Sequence, residues 1–236
     1  MEKGICNFPL IACRKEANER SEMVTQLLYG ESYSVISRND QWVNIKADRD
    51  EYESWIDLKL HSPLIDKGNT LYPVHETFTS IVGEDSHELI VPGGSLTILN
   101  KTVKNETSLI DTALGYLSAP YLWGGKSIWG IDCSGFVQVV FQIHGINISR
   151  DAYQQAELGE AIEFNELIEA GDLAFFSKEN EKITHVGICL GDEKIIHASG
   201  KVRIDKLDHN GIYNVDTQKY SHDLRIIKRI KKAANS

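Results

Sequence analysis

The sequence predicts an α+β fold in which an all-β domain is followed by a domain of helices and an antiparallel sheet. Short runs of alternating apolar and polar residues, separated by polar turns, fill residues 1–63, which is typical of a small barrel or sandwich. From about residue 105, two stretches with helical spacing come first and strand-like runs follow. Helices followed by strands imply an α+β domain with an antiparallel sheet.

The strands of the first domain are predicted from three alternating stretches. These are Glu31 to Ser37, Gln41 to Lys46 and Tyr52 to Asp57, and polar turns separate them. Because successive side chains of a strand point to opposite faces, this alternation predicts strands with one buried face.

Residues 64–104 give a weaker signal. The run from Leu89 to Leu99 predicts a hairpin with Pro92-Gly93-Gly94 at its turn. Two interpretations of the whole segment remain open, a strand-rich linker and a degenerate second barrel.

Residues 105–236 begin with two predicted helices. The first runs from Glu106 to Leu117 with Asn105 as its cap, and the second runs from Cys133 to His144 and is stopped by Gly145. The predicted strands that follow are Asp172 to Ser177, Thr184 to Leu190, Lys194 to Ser199 and Asp223 to Ile230.

Composition and charge indicate which classes of binding partner are not expected. The 236 residues include 42% hydrophobic and 25% charged residues, ordinary values for a globular protein. The formal net charge of -9 argues against a general phosphate-backbone binder, which needs an excess of Lys and Arg, so no nucleic-acid partner is expected. One basic cluster is assigned to a charged last strand and tail; it comprises Arg225, Lys228, Arg229, Lys231 and Lys232.

The four cysteines show no metal-binding pattern. They form neither a Cys-x-x-Cys pair nor a Cys/His set with zinc-site spacing, so no metal is expected. Few cysteines in a chain of this length also argue against a disulfide framework. Cys6 and Cys13 are interpreted as small hydrophobic residues in or near a strand.

No hydrophobic run approaches the length of a membrane-spanning helix, so no membrane partner is expected. Leu10-Ile11-Ala12-Cys13 resembles the cleavage box of a bacterial lipoprotein. The stretch before it is short, contains Asn7 and Pro9 and has only Lys3 as a basic flank, which makes a poor secretory leader. We expect a cytoplasmic protein, with a lipoprotein or secreted form as the alternative.

Cys133 follows a glycine-rich loop and opens an apolar helix. In the first turn of a helix, unpaired backbone N–H groups and the helix dipole favour a thiolate over a thiol. The same N–H groups could hold an oxyanion that develops beside the sulfur. A buried core cysteine would fit the same pattern, so a reactive role requires a base nearby.

Two histidines on a predicted hairpin supply that base. Gly191-Asp192-Glu193 is a turn signal between the strand of His185 and the strand of His197. With the turn centred near Gly191, the two histidines are predicted to lie nearly opposite each other, with both side chains on one face. A base and its orienting group need this arrangement.

Several sequence blocks resemble those of a known family. The second domain is similar, over about residues 105 to 230, to the NlpC/P60 family of cysteine peptidases, and the first domain resembles bacterial SH3 domains. The NlpC/P60 blocks are Tyr121-Leu-Trp-Gly-Gly125, Ile131-Asp-Cys-Ser-Gly-Phe136, Gly171-Asp-Leu-Ala-Phe-Phe176, Thr184-His-Val-Gly187 and Ile196-His-Ala-Ser199. The SH3-like patterns are Arg14-Lys-Glu-Ala17, Ser21 to Glu31, Trp42-Val-Asn-Ile45 and Tyr52-Glu-Ser-Trp-Ile56.

The resemblance implies a papain-like catalytic domain behind a bacterial SH3-like barrel. It also implies that Cys133 is the nucleophile, His185 the base and His197 the residue that orients it, with Tyr121 close to the oxyanion. Cys133 and His185 are then expected to exist substantially as a thiolate–imidazolium pair. Neither a metal nor an organic cofactor is required.

The segment Arg150-Asp151-Ala152 resembles part of the substrate pocket in one subgroup of the family. That subgroup cleaves between γ-D-glutamate and a diamino acid and demands a free L-alanine amino terminus. The resemblance implies that a carboxylate pairs with the ammonium group while the SH3 domain excludes longer chains. Ala152 stands where a serine can occur. The residues expected to contact the peptide are Asp132, Ser134 and Asp151, with Tyr52 and Glu22 from the SH3 side.

Structural interpretations remain open for three of these residues. Asp151 fits a helix cap, Tyr52 fits a core position of the barrel, and Glu22 fits a solvated surface charge.

The sequence therefore predicts a thiol protease that trims murein-derived peptides in cell-wall recycling. One alternative is a papain-like amidase or acyltransferase that would share Cys133 and His185. Others are a wall-binding module with an inactive catalytic domain, and a surface-anchored hydrolase of intact wall.

Overall fold

The computed structural model describes residues 2–65, 68, 70–83, 86–98, 107–162, 167–178 and 181–230, and it is rich in strands. The first domain contains β1 (Lys3–Ile5), β2 (Leu10–Arg14), β3 (Met23–Leu28), β4 (Ser32–Arg38), β5 (Trp42–Ala47), β6 (Glu53–Asp57) and a 3-10 helix (Leu58–Leu60). The middle segment contains β7 (Tyr72–Pro73), β8 (Phe78–Val82), β9 (Glu88–Pro92) and β10 (Leu96–Thr97). The second domain contains α1 (Leu109–Gly115), β11 (Lys126–Ser127), β12 (Gly130–Ile131), α2 (Cys133–Ile143), α3 (Ala152–Gln155), β13 (Glu160–Ile162), β14 (Leu173–Phe176), β15 (His185–Gly191), β16 (Lys194–Ser199), β17 (Lys201–Asp208), β18 (Gly211–Asn214) and β19 (Lys219–Arg229).

The six strands of the first domain form one antiparallel sheet in the order β1-β4-β5-β6-β2-β3. Its core is formed by residues that alternate with exposed or half-buried neighbours, among them Val43 and Ile45 of β5 and Ile56 of β6. The three strands predicted from alternation correspond to β4, β5 and β6, because one buried face imposes the period of two.

The middle segment forms two short ladders and, in its described part, no second barrel. β8 pairs with β9, so the hairpin turns between Val82 and Glu88 and not at Pro92-Gly93-Gly94 as predicted. Pro92 instead ends β9, and the chain turns at Gly94 (φ +82°) towards β10, which pairs with β7. The carbonyl of Gly94 accepts a hydrogen bond from Nε2 of Gln142 at 2.7 Å, so the segment packs on α2.

The helices of the second domain begin at capped positions. α1 starts at Leu109, later than predicted, because Ser108 caps it by accepting the amide of Asp111 at 3.1 Å. The predicted cap, Asn105, lies outside the described residues. α2 begins at Cys133 as predicted and is buried along its whole length. In the described parts of the chain, none of the helices is long and apolar enough to span a membrane.

A seven-stranded antiparallel sheet, in the order β13-β19-β14-β15-β16-β17-β18, forms most of the second domain. β19 also pairs with β18, so six of these strands close into a ring. Phe136 and Val137 of α2 share a core cluster with Val186 of β15 and Ile196 of β16. The predicted order of helices followed by sheet is present, but the domain contains more sheet than expected because β17 and β18 were not predicted.

The two domains meet across a buried polar interface. Glu31, at the end of the turn after β3, is 4% exposed, and its carboxylate lies 3.3 Å from Nζ of Lys126 and 3.4 Å from Nε of Arg49. Gln142 of α2 donates a further hydrogen bond to it at 3.1 Å. A buried carboxylate requires such partners to offset its loss of hydration. These contacts join the first domain to the helix that begins at Cys133.

Candidate active site

Cys133 is the first residue of α2, and its thiol lies against the strand that carries His185. Asp132 caps the helix by accepting the amide of Gly135 at 2.7 Å. The sulfur is 3.9 Å from the carbonyl oxygen of Thr184, the residue before His185. The predicted meeting of the helix start with the hairpin is therefore present.

The glycine-rich loop that leads into α2 also touches the first domain. Gly124 has a φ of +77°, and a Cβ on it would lie 2.4 Å from the carbonyl oxygen of Met23 in β3. Its amide donates to Asp132 at 2.8 Å. A side chain at this position would therefore force the first domain away from the loop that supports Cys133.

His185 and His197 lie on one face of the β15–β16 hairpin, with Nε2 of His185 2.8 Å from Nδ1 of His197. They are not opposite each other as predicted. His197 is opposite Gly187, because Asp192-Glu193 form the turn and the register is displaced by two residues. A two-residue displacement keeps both rings on the same face. A Cβ on Gly187 would lie 2.9 Å from Cβ of His197, so the glycine makes room for the ring.

A buried carboxylate continues the line of hydrogen-bonded side chains that His185 and His197 begin. It was not predicted from the sequence. Asp205 of β17 is 1% exposed and lies 3.0 Å from Nε2 of His197. Arg203 donates to both of its oxygens, at 2.7 and 2.8 Å, and the amide of Val215 donates at 3.0 Å. Burial by itself raises the pKa of Asp205, but the hydrogen bonds outweigh it and lower that pKa to about 2. We call His185, His197 and Asp205 the histidine relay.

The missed residue had one local signal. The stretch Lys-Val-Arg-Ile-Asp-Lys-Leu, which begins at Lys201, alternates between polar and apolar side chains and is typical of a strand. Recognising β17 would have brought Asp205 onto the sheet, although only the register decides that it meets His197.

His222 of β19 is a second residue that sequence reasoning missed. Its ring stacks on His185, with centroids 4.0 Å apart and an interplanar angle of 22°. Burial, and after it the proximity of His197, lowers the pKa of His222 to about 4. The ring therefore covers His185 without adding a charge.

The three imidazoles are also the group of side chains in the described residues that could hold a metal ion, with one nitrogen of each within 4.8 Å of the others. The hydrogen bonds already made oppose that use. Nε2 of His185 and Nδ1 of His197 face each other, and Nε2 of His197 faces Asp205. The arrangement therefore fits a hydrogen-bonded row that orients the rings better than a metal centre.

Burial favours the uncharged forms of Cys133 and His185. Removal from water, followed by the neighbouring Asp132 carboxylate, raises the pKa of the Cys133 thiol to about 12. Burial, followed by His222 and His197, lowers the pKa of His185 well below its ordinary value. Both shifts oppose the thiolate–imidazolium pair expected from the sequence and favour a thiol beside a neutral imidazole.

Tyr121 lies near Cys133. Burial raises the pKa of its phenol, and the proximity of Cys133 and Asp132 raises it further. The amide of Tyr121 donates to the carbonyl of Gly200 at 3.0 Å, which holds this part of the chain against the end of β16. A phenol that stays protonated can donate a hydrogen bond to a developing oxyanion.

Asp132 and Ser134, both predicted to contact a substrate, form hydrogen bonds with a buried arginine. Arg150 is 1% exposed, and it donates to the two oxygens of Asp132 at 3.0 and 2.6 Å and to Oγ of Ser134 at 2.9 Å. It also donates to Oγ1 of Thr25 in the first domain at 3.0 Å. The carboxylate of Asp132 additionally accepts two backbone amides, so it supports the start of α2, and the predicted contacts of Asp132 and Ser134 with a substrate stay predictions.

Tyr52 and Asp151 come together across the domain interface, with 3.5 Å between the Tyr52 hydroxyl and Oδ1 of Asp151. We call them the interface pair. Asp151 directly precedes α3, and its amide donates to the side chain of Gln154 at 3.3 Å, so it also occupies a helix-cap position. Burial raises the pKa of Asp151. Burial, followed by the nearby Asp151, raises the pKa of Tyr52.

Glu22 is exposed and reaches the glycine-rich loop. Its carboxylate accepts a hydrogen bond from Nε1 of Trp123 at 2.8 Å and lies 3.4 Å from Nζ of Lys15. Within the described residues these contacts do not connect Glu22 to the interface pair, so its predicted role as a substrate contact stays a prediction.

Two family models match complementary parts of the chain. The NlpC/P60 family matches residues 118–221, and the bacterial dipeptidyl-peptidase Sh3 domain matches residues 13–59. A crystal structure of an NlpC/P60 family protein from Bacillus cereus is similar over 96% of this chain and 99% of its own, with a TM-score of 0.81 and 19% identity. That likeness shows that the two chains share a fold over most of their length.

Two relatives are similar in sequence. The gamma-D-glutamyl-L-lysine dipeptidyl-peptidase of Bacillus subtilis is 28% identical over 216 residues, which cover 74% of this chain and 71% of the relative. The murein DD-endopeptidase MepS/murein LD-carboxypeptidase of Escherichia coli K12 is 32% identical over 132 residues, 56% of this chain and 69% of the relative. On these matches the chain belongs to the NlpC/P60 family of peptidases and carries a bacterial SH3 domain ahead of its catalytic domain.

Proposed function

We propose that this chain is a cysteine endopeptidase that cleaves the γ-D-glutamyl–diamino acid bond of murein peptides with a free N-terminal L-alanine. The observation that carries the proposal is the meeting of Cys133 with the hairpin of His185 and His197. The contact of Asp151 with Tyr52 of the SH3 domain supports it. The names of the relatives support a murein-derived peptide as substrate.

The proposed reaction begins from the uncharged thiol. As the sulfur of Cys133 attacks the peptide carbonyl, its proton passes to Nδ1 of His185, the ring nitrogen that His197 does not occupy. The oxyanion receives hydrogen bonds from the first amides of α2 and from the phenol of Tyr121. His185 then protonates the leaving amine, and water, deprotonated by His185, releases the acyl group from the sulfur.

The specificity proposal rests on the interface pair. An ionised carboxylate at Asp151 would pair with the ammonium of the N-terminal L-alanine, and the hydroxyl of Tyr52 would stand beside it. Because Tyr52 belongs to the SH3 domain, that domain forms one wall of the pocket and leaves little room for residues before the alanine. In this proposal Asp132 and Ser134 hold Arg150 in place, and Glu22 remains a candidate for a second contact with the ammonium.

The biological role follows from the substrate. A requirement for a free amino terminus suits peptides already released from the wall, so we propose that the protein trims such peptides for recycling in the cytoplasm. Fractionated cells probed with an antibody would test the compartment, and a signal in the wall or membrane fraction would favour the surface-anchored alternative.

The experiment that tests the activity uses L-Ala-γ-D-Glu-L-Lys with a free or an acetylated amino terminus. We expect release of lysine from the free peptide and slow or no release from the acetylated one, followed by mass spectrometry. Equal cleavage of both peptides would discard the gatekeeping role of the interface pair. Transfer of the acyl group to an added amine, with little hydrolysis, would favour the acyltransferase alternative.

A further inference from the structure

Asp205 is the buried end of the histidine relay, and its surroundings allow it to act only as a hydrogen-bond acceptor. One face of its carboxylate meets Nε2 of His197, and the rest is surrounded by the guanidinium of Arg203 and the amide of Val215. The guanidinium of Arg203 donates to both oxygens and the amide of Val215 donates to one of them. These fixed donors favour the charged form of the carboxyl group, so Asp205 is ionised.

The carboxylate of Asp205 determines which ring nitrogen of His197, and then of His185, carries a hydrogen. Because Asp205 can only accept, Nε2 of His197 must carry a hydrogen. With its hydrogen on Nε2, the neutral ring of His197 has a bare Nδ1. That atom lies 2.8 Å from Nε2 of His185, which must therefore be the donor. A neutral His185 is then left with a bare Nδ1.

We propose that Asp205 is a positioning residue that sets the tautomer of both histidines, so that His185 presents an unprotonated Nδ1 to the thiol of Cys133. This inference rests on the proposed cysteine-peptidase function. It matters for the uncharged pair that burial of Cys133 and His185 favours, because a neutral His185 in the other tautomer would carry a hydrogen on Nδ1 and could not accept the proton of the thiol. During the reaction the proton moves from sulfur to Nδ1, and the hydrogens on the two Nε2 atoms stay in place.

The first test reads the tautomers without any substrate. In protein labelled with ¹⁵N in its histidine rings, the nitrogen shifts at about pH 8 distinguish N–H from bare nitrogen, and the variant His197→Asn assigns the relay among the eight histidines. We expect hydrogen on Nε2 of His197 and on Nε2 of His185, with both Nδ1 atoms bare. Hydrogen on Nδ1 of either ring would overturn the proposal.

The second test removes the carboxylate. In Asp205→Asn, the amide nitrogen replaces one of the two acceptor oxygens and is itself a donor. One of the groups that donate to Asp205 then loses its acceptor, and the side chain no longer requires a hydrogen on Nε2 of His197. We expect kcat to fall about 10- to 100-fold with KM nearly unchanged, as for other residues that orient a catalytic group. Asp216→Asn is the matched control, since Asp216 is a largely exposed partner of Arg203, 3.0 Å away, that does not reach His197.

A double-mutant cycle separates tautomer control from a purely structural role. The amide oxygen of His197→Asn can replace Nδ1 as acceptor for His185, but the shorter side chain does not reach Asp205 and has no tautomers. We expect Asp205→Asn to lower kcat in the wild-type background and to have little further effect in the His197→Asn background. An equal loss in both backgrounds would overturn the proposal, because a general loss of packing or stability does not depend on residue 197.

The pH profile gives an independent reading. The titratable and charged groups that face His197 and Asp205 are His185, His222 and Arg203, with Asp216 behind Arg203. We expect the pH dependence of kcat to change in Asp205→Asn and to remain that of the wild type in Asp216→Asn. If the protein cleaves no murein peptide at all, the nitrogen shifts still decide the role of Asp205, so failure of the proposed function and failure of this inference remain distinguishable.

Discussion

The histidine relay and the interface pair are built in opposite ways. The relay belongs to one domain, is fully buried and follows three neighbouring strands of one sheet. The interface pair joins residues 99 positions apart in sequence, one from each domain, and both side chains are only half-buried. In the proposed function, the chemistry is therefore set by side chains held on one sheet, while the choice of substrate depends on how the SH3 domain packs against the catalytic domain.

The largest expected effect comes from removing the sulfur beside the relay. In Cys133→Ala we expect kcat/KM to fall by about 10⁴-fold or more, since the nucleophile cannot be replaced by water at the same position. Release of lysine from L-Ala-γ-D-Glu-L-Lys measures it. Cys189→Ala is the matched control, because Cys189 is a buried cysteine of β15 in a different core cluster. Retained hydrolysis in Cys133→Ala would refute the cysteine mechanism.

The buried state of the relay predicts a steep pH dependence of thiol reactivity. The raised pKa of Cys133 means that thiolate forms only towards alkaline pH, and the lowered pKa of His185 means that no imidazolium is available to stabilise it earlier. Alkylation of Cys133 by iodoacetamide should therefore slow by about tenfold per pH unit from pH 9 to pH 6. Mass spectrometry of the Cys133 peptide measures the rate, and a plateau below pH 7 would show the ion pair instead.

Changes in the interface pair should affect substrate choice more than chemistry. For Asp151→Asn we expect kcat/KM for the free-amine peptide to fall about 10- to 100-fold, less than for a fully buried charge pair because Asp151 is half-exposed. The acetylated peptide has no ammonium, so its slow cleavage should not change. Asp208→Asn serves as control, since Asp208 also accepts from a tyrosine hydroxyl, that of Tyr220, but away from the domain interface. An equal loss for both peptides would indicate that Asp151 supports the fold and not the ammonium site.

The smallest effect is expected for the hydroxyl of Tyr52. Tyr52→Phe removes one hydrogen bond to Asp151, worth ~1 kcal/mol, so kcat/KM for the free-amine peptide should fall about fivefold. The ring remains in place, and the unfolding temperature should hardly change. A loss as large as that of Asp151→Asn would mean that the hydroxyl itself holds the substrate. The SH3 domain would then contribute directly to substrate binding.

The catalytic candidates could be predicted because their surroundings are local in sequence. Cys133 follows a glycine-rich loop at the start of an apolar helix, and His185 and His197 flank a turn only a few residues long. The faces of these strands also follow from the period of two, so the error of two residues in register did not separate the two rings. The same period fails for the middle segment, where Pro92 ends a strand and the true hairpin turn lies elsewhere.

Asp205, Arg150 and His222 could not be assigned from local patterns. Each acts through a partner on another strand or loop, and an aspartate in an alternating strand is usually a solvated side chain. Burial opposes the expected ion pair between Cys133 and His185, and the extent of that burial could not be predicted for a related reason. The helix start was visible in the sequence, whereas the depth at which α2 and β15 bury the two groups was not.

The sequence by itself determined the order of the domains, the strand faces and the residues able to attack and to accept a proton, because these depend on local spacing and side-chain chemistry. Tertiary structure alone decided which side chains of the relay face each other, that burial disfavours the charged forms of Cys133 and His185, and that Tyr52 meets Asp151. Those properties depend on the register between distant strands, on desolvation and on the packing of one domain against the other. None of these three can be inferred from a single stretch of the sequence.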